Sequence, residues 1–370
     1  MAGVEEDVVA WRRHLHRHPE VSFEEHETSA FVAQTLAELG VEVSRPTETS
    51  VLGRLRGDGD GPVVALRADI DALPIQEESG VDFASERPGA MHACGHDGHT
   101  AMLLGAAKTL AADGVPRGEV RFIFQHGEEL APGGARDMIA AGVMEGVDFV
   151  YGCHLWTPLE YGKVAAVPGD WMAAADFFEI TITGRGGHAG LPHTAVDTVA
   201  CAAELVGSLQ HIVARRIDPL QPAVVTIGSI HAGDAPNVIP GEARLTGTAR
   251  SFDPDVRSLI PKLIEEIGHG VSAAHGASFE LRFVYGYKPV VNDPVATELV
   301  RSVVRDELVE PDPIMGGDDF SAYLAEAPGC YAFVGAGGPF PHHHPRFVID
   351  ERALAIGTRL HVDVANKVLG

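Results

Sequence analysis

Pro62-Val-Val-Ala-Leu-Arg-Ala-Asp-Ile-Asp71 decides how this chain is read. It opens as a short continuous apolar run, the pattern of a strand buried on both faces, and it ends in two carboxylates. Two further runs repeat the design. Glu119-Val-Arg-Phe-Ile-Phe-Gln125 leads into His126-Gly-Glu-Glu129, and Val147-Asp-Phe-Val-Tyr151 leads into Gly152-Cys-His154. Between the first two, Thr100 to Ala112 has helical composition and stops before Gly114. The first forty residues also read as helical, with Ser22-Phe-Glu-Glu25 as a capping box and Gly40 as a stop. Strands alternating with helices predict an α/β fold with a mostly parallel sheet. Open sheets of this kind bind ligands at the carboxyl ends of their strands. Asp69, Asp71, Glu128, Glu129 and His154 are therefore expected to converge, although they are far apart in sequence.

The pattern changes after about Trp171. Asp176 to Thr183 alternates like a half-exposed strand, and His193 to Ala214 reads as a helix. Ala223 to Ile230 and Ala243 to Ser251 read as strands, Pro254 to His275 as a second helix and Ser278 to Tyr285 as a last strand. This βαββαβ order is the split βαβ arrangement of a ferredoxin-like α+β module. The expected organisation is one discontinuous α/β domain, residues 1–174 and 287–370, interrupted by an insert at 175–286.

With 370 residues, the chain is long enough for about two domains. Hydrophobic residues make up 45% and charged residues 22%, in the range of a globular protein. A formal net charge of −24 with no basic run argues against nucleic acid as a partner. No apolar stretch approaches the roughly 20 residues needed to span a bilayer, and the start is acidic where a secretory signal would be basic. The four cysteines are scattered and form no CxxC pair, which fits free thiols in a reducing compartment. The expectation is a cytoplasmic protein with neither membrane nor nucleic acid as partner. Nineteen histidines are many for this size and point towards metal chemistry.

That chemistry centres on Met91-His-Ala-Cys-Gly-His-Asp-Gly-His99, which packs three imidazoles, a thiol and a carboxylate into nine residues. Cys94 and His96, two residues apart on a glycine-containing loop, read as ligands of one metal centre or of two adjacent ones. The competing readings are a buried structural loop, or Cys94 as a nucleophile with a histidine base. Glu128-Glu129 offers one carboxylate for a metal and one as a base towards water; alone, it would pass for an exposed acidic turn. His154 at a strand end reads as a ligand, and its neighbour Cys153 as buried filling. In His342-His343-His344-Pro345, spacing selects none of the three. In the insert, His188 in Gly184-Arg-Gly-Gly-His188-Ala-Gly reads equally as a hydrogen-bond donor to a transition state or as part of a plain hairpin loop. Asn237 and Arg250 suit a substrate carboxylate, the guanidinium because its planar fork binds both oxygens; a surface arginine is the plain alternative. His14, His16 and His18 are read as solvated or locally structural.

Together these motifs resemble the M-twenty peptidase family, in the branch of hippurate hydrolase, N-acyl-amino-acid amidohydrolase and the indole-acetyl-amino-acid hydrolases. The likeness runs from Arg12-Arg-His-Leu-His-Arg-His-Pro-Glu-Val-Ser-Phe23 through Leu66-Arg-Ala-Asp-Ile-Asp-Ala-Leu-Pro74, the Cys-Gly-His loop, Phe124-Gln-His-Gly-Glu-Glu129, Asn237-Val-Ile-Pro240 and Gly316-Gly-Asp-Asp-Phe320 to His343-His-Pro345. It implies a catalytic domain of the zinc-exopeptidase type with an inserted dimerisation and lid domain, hence a homodimer. It implies two divalent ions per subunit held by Cys94, His96, Glu129, His154 and His343, with Glu128 as general base, His188 as lid histidine, and Asn237 and Arg250 on the substrate carboxylate. Asp71, Asp97 and Asp318 are expected behind the ligands. The activity implied is hydrolysis of a small-molecule N-acyl amino acid, with a dipeptidase or carboxypeptidase of the same chemistry as alternative. A thiolate with imidazoles favours Zn, Co or Ni over Mg, and the resemblance adds Mn. Two departures stand out. The family's Pro-Ala before the glutamate pair is His126-Gly127 here, placing an extra imidazole near the site, and its Glu-Asp-Phe is Asp318-Asp319-Phe320.

Overall fold

The computed structural model describes residues 2–370. Chain contacts divide it into two compact units, one formed by residues 1–171, 290–312 and 319–370, the other by 172–289 and 313–318.

The larger unit is built on an eight-stranded sheet. Its strands lie in the order Glu42–Ser44, Val51–Arg56, Glu119–Gln125, Val63–Asp69, Phe149–Trp156, Gly329–Gly335, Lys163–Ala165 and Glu307–Val309. The four central strands, from Glu119–Gln125 to Gly329–Gly335, run parallel, while Val51–Arg56 and Lys163–Ala165 flank them antiparallel. The apolar runs that announced these strands are buried along almost their whole length. The helices Ala2–Arg17, His26–Glu38, His96–Asp113 and Ala353–Leu369 contribute Val8, Val32, Leu103 and Leu360 to the core formed with them.

His96–Asp113 starts earlier than its composition suggests. Gly95 adopts φ +96, a left-handed turn open to glycine, and the chain enters the helix directly at His96. The expected capping box at Ser22–Glu25 is not formed. Glu25 makes no side-chain cap to helix His26–Glu38; the first-turn N–H groups of Glu27 and Thr28 donate instead to the Glu20 carboxylate. Ser22 and Glu25 turn to distant partners described below.

The smaller unit is a four-stranded antiparallel sheet in the order Ala223–His231, Glu242–Ser251, Ala174–Thr183, Ser278–Tyr287. Helices Thr198–Leu209 and Pro254–His275 supply Cys201, Leu205, Ile260 and Ile264 to a core with Ile180, Ile182 and Leu245. The order of elements is βαββαβ, with ferredoxin-like strand order. The single helix expected over His193–Ala214 is shorter. Asp197 accepts from the N–H groups of Val199 and Ala200 and so sets the start at Thr198, and a wide turn at Ile212–Arg216 follows the helix.

Candidate metal centre

The parallel strands deliver their carboxyl ends to one place. Asp69 closes its strand, with Asp71 two residues beyond; Glu128 and Glu129 follow Gln125; His154 lies near the end of Phe149–Trp156; Cys94 and His96 sit at the head of the buried helix. Ligand atoms of Cys94, His96 and His154 all lie within 4.8 Å of one another, as do those of Cys94, Glu129 and His343, and those of His96, Glu128 and Glu129. Cys94, His96 and Glu129 each belong to two of these groups, so the three clusters are contiguous. Cys94 Sγ is 3.4 Å from His154 Nε2, and His343 Nε2 is 3.3 Å from Glu129 Oε1.

Hydrogen bonds fix which nitrogen each imidazole presents. His96 Nδ1 donates to the Asp71 carbonyl at 3.0 Å and lies 3.1 Å from Asp71 Oδ1, so Nε2 is the nitrogen left for the cluster. His154 Nδ1 donates to Leu155 O at 2.8 Å, leaving Nε2 towards Cys94. A backbone or carboxylate partner behind each ligating imidazole is the usual support of a metal site. Glu129 Oε1 is buried and accepts no hydrogen bond. A soft sulfur, two imidazole nitrogens and an unsatisfied carboxylate oxygen form a donor set that fits divalent transition metals.

In the tail the three neighbouring histidines have different surroundings. His343 has φ +65, a left-handed backbone rare outside glycine, and its half-exposed ring reaches Glu129. His342 is tied away, donating from Nε2 to Leu155 O and stacking on Trp156. His344 stacks on Phe340.

Behind the candidate ligands lie residues to which the sequence reading gave no such place. His99 Nε2 accepts from Leu155 N at 2.9 Å, so its proton is on Nδ1, which meets Asp69 Oδ1 at 2.6 Å. Asp69 also accepts from Arg67. Against the cost of burial, His96, Arg67 and His99 hold this carboxyl well below its ordinary range. The signal for His99 was present, three residues after His96 and thus on the same helix face. His16 is not solvated. It is buried, with Nδ1 2.8 Å from Asp97 and Nε2 3.2 Å from Glu77. Asp97 also accepts from Arg12 at 2.7 Å, so its carboxylate braces the loop from behind His96. The extra imidazole at His126 turns away from the ligands. Its Nδ1 pairs with Thr49 at 2.8 Å, and its ring packs edge-on to Phe23.

In the smaller unit, His188 and Asn237 come together on a two-stranded ribbon, with Val238 opposite His188 and Ala189 N donating to Asn237 O. Gly190 N donates to His188 Nδ1 at 2.9 Å, so the proton of this exposed ring is on Nε2. Arg250, half-buried over the Phe177 ring, donates through Nη1 to Thr248 Oγ1 and to the carbonyls of Asp176 and Ala249. Asp318 is buried within the segment 313–318 of this unit.

The electrostatics bear on the Cys94 alternatives. Burial and the Glu129 and Glu128 carboxylates push the Cys94 thiol well above its ordinary value, the opposite of what a free nucleophilic cysteine needs. Burial opposes charge on His96, but Asp69 and Asp71 carry it up to about 10. Both groups therefore hold protons at neutral pH, and a cation held by Cys94 Sγ and His96 Nε2 would displace them. Because protons leave on binding, apparent metal affinity is expected to rise with pH. Calorimetric titration of metal-stripped protein at pH 7.5, roughly neutral, in buffers of different ionisation enthalpy should read about two protons released per subunit from this pair. Release of none would place Cys94 and His96 outside the ligand set.

A mostly parallel sheet with this cluster at its carboxyl edge defines a metallohydrolase of the zinc-exopeptidase type. Residues 65–367 match peptidase family M20/M25/M40, and the chain belongs to that family. It is 57% identical over 292 residues to the N-acyl-L-amino acid amidohydrolase of Geobacillus stearothermophilus, covering 78% of this chain and 79% of that protein. It is 40% identical to the N-acetyl-L-cysteine deacetylase of Bacillus subtilis, covering 100% of this chain and 90% of the relative. Among solved structures it is similar to the YXEP protein of Bacillus subtilis, described as a dinuclear metal binding peptidase, with a TM-score of 0.86, 35% identity and coverage of 100% and 99% of the two chains.

Proposed function

We propose that this protein is a metal-dependent amidohydrolase that cleaves the amide of an N-acyl amino acid, releasing a carboxylic acid and a free amino acid. The observation that carries this reading is the pairing of Glu128 with Glu129 beside the Cys94 groups. A site built only to bind metal has no need of a second, buried carboxylate next to a ligand. The amidohydrolase relative supports the choice of substrate.

Cys94, His96, Glu129, His154 and His343 would hold two divalent ions, Mn or Zn first and Co or Ni as further candidates. When bound, such ions polarise an amide carbonyl and make water more acidic. Glu128 takes the proton from the attacking water and hands it to the amine nitrogen as the C–N bond breaks. His188, with its Nε2 proton free of the Gly190 contact, donates to the developing oxyanion. Asn237 and Arg250 hold the amino-acid carboxylate. Asp71 orients His96. Asp97 and Asp318 are assigned supporting roles behind the ligands.

The edge strands Ala223–His231 and Ser278–Tyr287 leave pairing groups open, and we assign them the contact of a homodimer. Among the described residues no helix is long and apolar enough to cross a membrane. With four free cysteines, the reducing cytoplasm is the compartment proposed.

The carboxypeptidase alternative rests on relatives such as thermostable carboxypeptidase 2 of Saccharolobus solfataricus, 41% identical over 98% of this chain. Metal-stripped enzyme refilled with Mn, Zn, Co or Ni should release amino acid from N-acetyl or N-benzoyl amino acids at least about tenfold faster, in kcat/KM, than from matched dipeptides. The reverse order would make it a peptidase with the same chemistry.

A further inference from the structure

The turn that carries Glu128 is pinned on both sides by buried carboxylates. On one side Asp71 Oδ2 accepts from Glu129 N at 2.9 Å and from Ser22 Oγ at 2.6 Å. On the other, Glu25 Oε1 accepts from Gly127 N at 2.8 Å. The same Glu25 oxygen accepts from Phe23 N at 2.9 Å, and Glu25 is fully buried.

The backbone at both ends of this clip is unusual. Phe23 has φ +68, which is costly for an aromatic residue, and Gly127 has φ +61. A Cβ at Gly127 would come within 2.5 Å of the Phe23 ring, so the two turns are in close contact. Strained backbone persists where its surroundings over-determine it, and Glu25 bonds both the strained Phe23 turn and the Gly127 peptide that lies against it.

We infer that Glu25 is a positioning residue for the general base: its carboxyl oxygen fixes the Gly127 peptide and so aims the Glu128 carboxylate. The inference rests on the reading of Glu128 as the base. What the clip requires is an acceptor at the reach of a glutamate side chain. Glu25 Oε2 has no hydrogen-bond partner, so an amide nitrogen in its place breaks no bond.

The test compares Glu25→Gln, Glu25→Asp and Glu25→Ala, each loaded with Mn and assayed on an N-acetyl amino acid well below its Tm, with kcat expressed per metal-loaded subunit. Misplacing a reacting group by about 1 Å can cost on the order of 10²-fold. Glu25→Asp and Glu25→Ala are expected to lose roughly 10–100-fold in kcat, with KM and metal content within about twofold of the parent. Glu25→Gln, which keeps the reach of the acceptor, should retain most of kcat. A purely structural role would lower Tm without moving kcat per loaded subunit. Unchanged kcat in Glu25→Asp, or equal losses in Glu25→Gln and Glu25→Asp, overturns the inference. If Glu25→Ala does not fold, the aspartate and glutamine variants decide alone. Glu128→Gln is assayed in parallel: if it turns over like the parent, the assignment of the base has failed, whereas its loss beside an unaffected Glu25→Asp means that only the positioning role has failed.

Discussion

Glu128→Gln is expected to keep its metal and lose about 10²–10⁴-fold in kcat, the usual contribution of a positioned general base. Glutamine preserves volume and the carbonyl acceptor but does not take up a proton at neutral pH. Both its chemical jobs, accepting a proton from water and delivering it to the departing nitrogen, fail together. The neighbouring replacement Glu129→Gln should behave differently. Glu129 lies beside Cys94 and His343, with its own buried oxygen unsatisfied, so weakening it should lower metal content along with activity. Elemental analysis of the two variants beside their kcat values gives the answer. If Glu128→Gln emerges metal-poor while Glu129→Gln remains loaded, the two roles have been assigned the wrong way round.

Arg250→Ala is expected to lower kcat/KM for an N-acyl amino acid by about 2–5 kcal/mol, or roughly one and a half to three and a half decades. The bonds that Arg250 makes all leave from Nη1, to Thr248 and two backbone carbonyls. That anchors one corner of the guanidinium on the strand. Among the described residues, Nε and Nη2 make no hydrogen bond, and they are the two donors that grip a carboxylate side by side. The corresponding N-acyl amino-acid amide carries no charge at that end and should suffer far less from the same change. The quantity to measure is the ratio of kcat/KM for acid over amide, in parent and variant. Equal losses on both substrates would make Arg250 a brace of its sheet and withdraw the carboxylate assignment.

The sheet was legible because a strand covered on both faces has to be apolar throughout, and Val63–Asp69, Glu119–Gln125 and Phe149–Trp156 are buried along nearly their whole length. The convergence of Asp69, Asp71, Glu128, Glu129 and His154 was expected from where such strands end, whereas Cys94 comes from the loop that leads into helix His96–Asp113. Other features were hidden because their partners are remote. Ser22 and Glu25 carry the local pattern of a capping box, yet they bond residues 49 and 102 positions away. His16 looked like one of three alternating helix histidines, and its partner Asp97 is 81 residues distant. Among His342, His343 and His344, the choice depends on a left-handed backbone at the middle residue, which spacing does not encode. The overlong helix at His193–Ala214 shows the converse error. The stretch is rich in Ala, Val and Leu throughout, and one capping side chain, Asp197, set the boundary.

The strand Gly329–Gly335 lies between Phe149–Trp156 and Lys163–Ala165. During synthesis, which runs from the N-terminus, that slot stays open until residue 335 has left the ribosome. By then the four strands of the insert, the last ending at Tyr287, have long been available to pair. For the length of more than a hundred and fifty codons, on the order of ten seconds or more at ordinary rates of synthesis, the His154 strand waits with one edge unpaired and exposed to wrong partners. His343 emerges later still. The nascent chain can thus own a finished insert while its catalytic sheet is incomplete, and the proposed ligand set waits for His343 before it can close.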